Sequence, residues 1–508
     1  MLQGLEVGYL NKYLAKASGE KLSSAAIAYL ASLDVVHNSF PLIADAIVKE
    51  LKDQRSNLKM IASENYSSLA VQLAMGNLLT DKYSEGFAKH RFYAGCDNVD
   101  VIEEQAVELA KKLFGADHAY VQPHSGCDAN LVAFWAILVE RIQTPAFKAL
   151  VKKFEGTDRK LKTLDDLTAV EYEEIRQLMV NQKIMGLALG SGGHLTHGFR
   201  QNISSKMMQA VSYDVDPLSG LIDYEALAIQ VKKEKPLILI AGYSAYSRLI
   251  DFARMREIAD SVGAVFMVDM AHFAGLVGGK VMQGNYDPIP HAHMVTSTTH
   301  KTLRGPRGGL VLCKAEFADA VNKGCPMVLG GPLPHVMAAK AIAFKEAVDP
   351  AFSVYAHKIV ENARALSAGL MSHGVRVLTG GTDNHLLVMD VASTFKINGR
   401  MAESLLREAG ITVNRNSIPR DPKGAWYTSG VRMGTPAMTT IGMGESEMKE
   451  IASIIYDLLK DANVKIDEKT SLPSLAKAKV PDATMVRARK RVNDVLRHFP
   501  LYPELVID

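Results

Sequence analysis

Six short, nearly continuous apolar runs occupy the middle of the chain. They are HAYVQPH (118–124), KIMGLALG (183–190), LILIAGY (237–243), AVFMVDMAH (264–272), HMVTSTTH (293–300) and GGLVLCK (308–314). Helical stretches such as 101–114, 251–262 and 334–348 lie between them. Buried strands alternating with helices predict a mainly parallel sheet covered on both faces. Ligands of such sheets sit in the crevice at the carboxyl ends of the strands, which directs attention to the residues just after each run.

The pattern changes after about residue 345. A helix over 352–374, the run VRVLTGGTDNHLLVMDV, a helix over 399–409, ITVNRN and a final helix over 444–462 predict a smaller α/β domain. The chain thus divides into a helical amino-terminal segment (1–55, with 1–30 as an extension), a large domain (56–345), a small domain (346–463) and a basic, proline-punctuated extension (464–508). Residues from about 141 to 184 are charged and helical and read as a surface insertion, because loops that long are uncommon inside a compact domain.

Composition removes several classes. The chain has 508 residues, 48% of them apolar, enough for two to four domain-sized units and a deep core. Its 58 Lys plus Arg against 55 Asp plus Glu give a net charge of +3, which supports neither a nucleic-acid footprint nor a polybasic membrane anchor. Four cysteines without a C-x-x-C pair make no disulfide framework or zinc motif. No apolar run approaches the roughly 20 residues of a bilayer span, and the amino terminus is a poor signal peptide. The expected compartment is the reducing cytoplasm.

Three places carry chemistry. Asp269 ends an apolar strand, where a lone carboxylate is costly; taken alone it reads as a structural ion pair or helix cap, and functionally as an acid aimed at a buried cationic ligand. Lys301 follows another strand, beside His300 and before the glycine-rich KTLRGPRGG. A single lysine is usually surface decoration, yet a partly desolvated one at a sheet edge is a nucleophile toward an aldehyde. Ser125-Gly126-Cys127 joins a strand to a helix, a generic turn that also suits a phosphate at a helix amino terminus. An amine for an aldehyde, an acid for a pyridine nitrogen and a cradle for a phosphate together match pyridoxal phosphate. The spacings His194-x-x-His197 and His291-x-His293 lack the helical setting of a zinc site, so no metal is expected.

With these residues in view, the sequence resembles the serine hydroxymethyltransferases. The motifs that carry the likeness are IASENY, KYSEG, PHSG, GGHLTHG, YSAYSRLIDFARMREIADSVGA, VDMAHFAGL, TTHKTLRGPRGG, GGPLPHV, GGTDNH and TSGVRMGTPA, spread over about 56–462 outside the insertion. The resemblance implies an α/β protein of aspartate-aminotransferase-like fold type I. Its large domain would hold a mainly parallel seven-stranded sheet, with a smaller carboxyl-terminal α/β domain. It implies reversible conversion of L-serine and tetrahydrofolate to glycine and 5,10-methylenetetrahydrofolate on pyridoxal 5'-phosphate.

By the same resemblance Lys301 carries the cofactor, Asp269 pairs with its pyridinium nitrogen and His194 stacks on its ring. Ser244 and His272 lie near its phenolic oxygen, with Thr298 in support. Ser125, Gly126 and Cys127 hold the phosphate, while Tyr83 and Gly331 reach it from a neighbouring subunit, implying a homodimer with shared active sites. Arg432 grips the substrate carboxylate with Ser63 assisting. Glu85 handles the serine hydroxyl proton, Tyr93 sits near the α-carbon, and His300 adjoins the catalytic lysine. Leu195, Asn416 and Glu85 match positions near the folate, and Arg307 is a supporting group. Four departures stand out: Phe92 replaces a usual tyrosine, Cys127 a phosphate-binding serine and Ser191 a common histidine, and a glycine-rich loop is shortened to VLGGP. Two alternatives share the cofactor, a folate-independent β-hydroxy-amino-acid aldolase and an amino-acid racemase. A third, a binding protein with a retired site, conflicts with the presence of Lys301, Asp269, Glu85 and Arg432.

Overall fold

The computed structural model describes residues 8–16, 22–466 and 471–507. All six apolar runs form strands: β1 His118–Tyr120, β2 Lys183–Leu187, β4 Ile238–Gly242, β5 Val265–Asp269, β6 Met294–Thr298 and β7 Gly309–Cys313. The sequence reading misses β3, Gln209–Tyr213, which completes a seven-stranded sheet in the order β1-β7-β6-β5-β4-β2-β3. The reason is physical: β3 is an edge strand with most of its side chains exposed, so it lacks the apolar run of a central strand. β7 alone points against the direction shared by the other six strands. Its first residues therefore return to the edge where the other strands end.

Alternation along the strands builds two cores. Val265 and Met267 of β5 face one cluster with Phe134, Ala133 and Ile137 of helix Gly126–Leu138. Phe266 and Val268 face the other, with Ala106 and Ala110 of helix Asp97–Phe114 and Met337 and Phe344 of helix Pro334–Ala347. A side-chain period of two on a sheet covered on both sides dictates this division.

The carboxyl-terminal half adds a three-stranded antiparallel sheet, β8 Leu386–Asp390, β9 Asn414–Asn416 and β10 Gly430–Gly434, in the order β8-β10-β9. Helix Pro350–Ser372 serves both halves: Phe352, Ala356 and Ile359 join a large-sheet core, while Leu366 and Leu370 join the core under β8–β10.

Two expectations change. The helix expected over 444–462 spans Glu445–Leu459 and is not the last, because helix Asp482–Leu496 follows the hairpin Asn463–Ile466 and Pro473–Lys479. Its Val492 and Leu496, with Leu501 and Leu505, enter the core of the small sheet, as do Leu30, Val48 and Leu51 of the amino-terminal helices Ser24–Ser39 and Pro41–Ser56. The helical reading of 1–30 holds for Tyr9–Lys16 and the start of Ser24–Ser39, while 1–7 and 17–21 lie outside the described residues. The charged stretch 141–184 contains helices Thr144–Lys153 and Ala169–Val180 but ends inside β2. No helix among the described residues is long and apolar enough to cross a membrane.

Truncating a tail side chain tests the shared core. Leu505 is 1% exposed, and Leu505→Ala should lower the unfolding free energy by about 2–5 kcal/mol. Urea denaturation reads this directly; a loss within the ~0.5 kcal/mol of a surface change would separate the tail from that core.

Candidate active site

Asp269 is the last residue of β5, and its carboxylate is buried. Three donors meet it: His197 Nε2 at 3.1 Å and Asn130 Nδ2 at 2.9 Å on Oδ2, and the Ala271 N–H at 3.0 Å on Oδ1. Burial raises its pKa, but His197, His194 and Asn130 outweigh burial and hold the carboxyl well below the usual carboxylate range. Asn130 lies on the helix that follows β1, and its Oδ1 accepts from Thr296 of β6 at 2.5 Å. Asn130 also donates to Thr196 Oγ1 at 2.7 Å, which lies 2.8 Å from His194 Nδ1. Burial pulls His194 down to about 4, so its ring is neutral near pH 7. Metal-type atoms of His194, His197 and Asp269 fall within 4.8 Å of one another, a grouping that these hydrogen bonds account for. His197, read from the sequence only as a metal candidate, is thus the partner of Asp269. The H-x-x-H spacing after a strand was its one visible signal.

Lys301 follows β6 by three residues. Burial pulls its amine down to about 8 against the opposing charge of Asp269. None of the described residues accepts a hydrogen bond from its Nζ. Its main chain is fixed, with its carbonyl accepting from Asn65 Nδ2 at 2.9 Å and the Arg304 N–H at 3.0 Å. The loop back to β7 closes through Gly308, whose N–H meets His300 Nδ1 at 3.4 Å. Burial, with Arg307 and Lys301 adding to it, lowers His300 to about 3, so His300 anchors this loop as a neutral acceptor. His272 stacks on His385 with centroids 5.4 Å apart, and their Nδ1 and Nε2 atoms lie 3.2 Å apart.

At the end of β1, Ser125 caps helix Gly126–Leu138, its Oγ accepting from the Asp128 N–H at 3.1 Å. A Cβ on Gly126 would stand 2.7 Å from Thr298 Cγ2, so only glycine lets this turn lie against the end of β6. Thr298 itself donates to the Ala271 carbonyl at 3.2 Å. Burial and the charges of Asp269 and Asp128 push the Cys127 thiol up, which keeps it protonated at neutral pH.

The small sheet contributes Arg432 from β10. Its Nε donates to Asn414 Oδ1 on β9 at 3.0 Å, and its Nη1 to the Ser244 carbonyl at 2.5 Å, across the seam between the two sheets. Burial lowers it to about 10, still charged at neutral pH. Nη2 has no hydrogen-bond partner among the described residues. Ser63 lies in the IASENY segment, just after Met60, whose carbonyl accepts from the Gly434 N–H at 2.8 Å. Asn416 ends β9 with Nδ2 on the Ser417 carbonyl at 2.6 Å, and Leu195 is 44% exposed. Ser191 is buried and donates to Asp214 at 2.8 Å.

Tyr83, Glu85, Phe92, Tyr93 and Gly331 form a second group. The Tyr83 and Tyr93 rings meet edge-on at 5.1 Å, and a Cβ on Gly331 would touch Tyr83 Cζ at 2.9 Å. Among the described residues no hydrogen bond or ring contact joins this group to Lys301, Asp269 or Arg432. All three aromatic rings are exposed, Phe92 at 68%. A buried network unseen in the sequence holds the hairpin between them, formed by the paired strands Gly86–Phe87 and His90–Arg91. Arg91 donates to Asp100 at 2.8 Å, to the Ser84 and Gly86 carbonyls at 2.9 and 3.0 Å, and to Glu103. Gln122, beyond β1, bonds Gly86 O and Glu103 at 2.8 Å each.

An ionised acid ending one strand, an amine after the next with no hydrogen-bond partner among the described residues, and a glycine-bearing helix start after a third fit pyridoxal phosphate. With the mainly parallel seven-stranded sheet, they define the fold-type-I class of enzymes using that cofactor. A family model described as serine hydroxymethyltransferase matches residues 36–144 and 170–455. The gap between these spans falls within the predicted insertion. A Treponema pallidum protein named serine hydroxymethyltransferase is 57% identical over 98% of this chain and 84% of its own length. Proteins of the same name from Chlamydia trachomatis (52% identical, 98% of this chain, 99% of theirs) and Mycolicibacterium smegmatis (54%, 95% and 96%) match comparably. The chain belongs to the serine hydroxymethyltransferase family.

The lowered histidines set a pH dependence. His194, at about 4, and His300 and His385, at about 3, stay neutral when folded, whereas unfolded imidazoles protonate near 6.5. The unfolded chain therefore binds more protons below that pH, and stability falls as pH drops from about 6.5 toward 4. Thermal midpoints of the cofactor-free protein should decline over this window, with a shallower decline in His385→Asn; a flat profile would contradict the neutral, buried assignment.

Proposed function

We propose that this protein is a serine hydroxymethyltransferase acting on L-serine and tetrahydrofolate, giving glycine, 5,10-methylenetetrahydrofolate and water. The observation that carries the reading is Lys301, an amine without a hydrogen-bond partner among the described residues and lowered to about 8, at the same strand edge as Asp269, whose carboxyl is held well below the usual range. When bound, pyridoxal phosphate supplies a ring that takes up the electron pair of the breaking Cα–Cβ bond.

The chain's own groups do the rest. A pKa near 8 leaves an appreciable fraction of Lys301 neutral at pH 7–8, the form able to attack an aldehyde carbon. The ionised Asp269 would accept a hydrogen bond from the protonated ring nitrogen and so keep the proton on that nitrogen. The neutral His194 offers a flat face without a second positive charge. Ser125, Gly126 and Cys127 would offer N–H groups and the positive helix end to the phosphate, while Ser244, His272 and Thr298 would hold the ring. Arg432 presents Nη2 to the substrate carboxylate, with Ser63 beside it. Glu85 takes and returns the serine hydroxyl proton near Tyr93, and Leu195 and Asn416 border the folate.

The exposed Tyr83–Tyr93 group and Gly331 support a homodimer in which this hairpin completes the site of a second copy. Phe92 stacks there without donating a hydrogen bond. Four unpaired cysteines support a reducing, cytoplasmic setting.

Purified protein given serine and pyridoxal phosphate should form glycine faster when tetrahydrofolate is added, and Lys301→Ala should lose both turnover and visible absorbance. Glycine formation indifferent to tetrahydrofolate would favour the aldolase reading instead, and D-serine formed without glycine the racemase reading. Arg432→Ala removes charge-assisted bonds worth about 1.5–3 kcal/mol each, so the KM for serine should rise ~10-fold or more. Unchanged saturation by serine would remove Arg432 from substrate binding.

A further inference from the structure

Lys340 is 1% exposed in the middle of helix Pro334–Ala347, and among the described residues no carboxylate forms an ion pair with it. Its ammonium instead donates to three backbone carbonyls: Val121 at 2.5 Å, Pro123 at 2.9 Å and Gly309 at 2.9 Å. Three donors meet three acceptors. A neutral amine has two hydrogens and a lone pair, which would have to face the third carbonyl, so this geometry selects the charged form. Burial pulls the amine down to about 7, while the charges of Glu103 and Asp128 oppose that change.

The three carbonyls are not scattered. Val121 and Pro123 lie on the short connection from β1 to Ser125, and Gly309 opens β7. The Gly309 N–H also meets the Pro123 carbonyl at 2.8 Å. Packing from the lysine to the cradle is continuous. A Cβ on Gly308 would stand 2.5 Å from Lys340 Cε, one on Gly309 would stand 2.1 Å from the Ser125 carbonyl, and one on Gly126 would reach Thr298. Glycine alone fits these positions. The close glycine contacts and the ammonium together therefore leave the turn little freedom.

We propose that Lys340 is a positioning residue for the phosphate end of the site: its ammonium clamps the β1–helix turn through three carbonyls and sets a buried positive charge behind the N–H groups of 125–127. The proposal rests on the pyridoxal-phosphate reading above and adds to it the group that tunes recognition of the phosphoryl anion. Attraction through the protein interior is screened far less than at a surface, so a buried charge strengthens anion binding without touching the anion. Loss of the clamp also loosens the N–H groups that make direct contact.

The test compares affinity for pyridoxal phosphate with affinity for pyridoxal, which lacks the phosphoryl group, in full-length cofactor-free protein. Wild type should prefer pyridoxal phosphate, and inorganic phosphate should compete with it. Lys340→Met should reduce that preference roughly 10-fold or more while leaving pyridoxal affinity within about 2-fold, with weaker competition by inorganic phosphate. Lys340→Gln keeps two of the three donors, removes the charge, and should fall between. Equal losses for both ligands, an unchanged preference, or failure of both variants to fold would assign Lys340 to the sheet's stability alone and overturn the proposal. Wild type that binds neither ligand would instead defeat the cofactor reading on which it rests.

Discussion

A carboxylate at the end of a wholly buried strand persists only if donors replace the water it has lost. Asp269 obtains them from three parts of the chain: Asn130 on the helix after β1, His197 after β2, and the Ala271 N–H of its own turn. The charge therefore binds three strand ends into one edge. It also acts outward, opposing the desolvation of Lys301 and of His194. If the strand ends separated, the acid would lose its donors and both neighbours would lose its field. Most of the site's electrostatics follows from this one buried anion.

A seam between the two sheets imposes a second constraint. Arg432 reaches from β10 to the Ser244 carbonyl, and Arg248 reaches back to Thr379 and Asp383 at 3.0 Å each. Helix Pro350–Ser372 runs through both cores, and the terminal segments pack under the small sheet. Arg432 is thereby held at a fixed place relative to Lys301 although the two lie on different sheets. The amino- and carboxyl-terminal segments add apolar area to the core that carries Arg432 and leave the strand edge open.

Buried cations appear twice behind the site. Arg91 is enclosed by Asp100, Glu103 and two carbonyls under the Tyr83–Tyr93 hairpin, and Lys340 by three carbonyls beneath the β1 turn. Each satisfies all or nearly all of its donors, the condition under which a buried charge specifies a single arrangement. Both hold a loop whose exposed residues are candidates for the chemistry. Neither stood out in the sequence, where an isolated lysine or arginine looks like a surface residue.

The amino-acid sequence alone determined the central strands, because burial on both faces demands unbroken apolar runs such as VFMV and ILIA. It likewise located Asp269, Lys301 and Ser125, because polar residues at the ends of such runs sit at the open edge of the sheet. It did not reveal β3, half exposed to solvent, or the last helix, whose apolar residues are spaced among many charges. Tertiary structure decided the partners: that His197 and Asn130 serve Asp269, that His385 stacks on His272, and that Lys340 faces three carbonyls. Those contacts join residues tens to hundreds of positions apart. A hydrogen bond depends on where two atoms stand in space, and that is settled only when the sheet order brings the strand ends together.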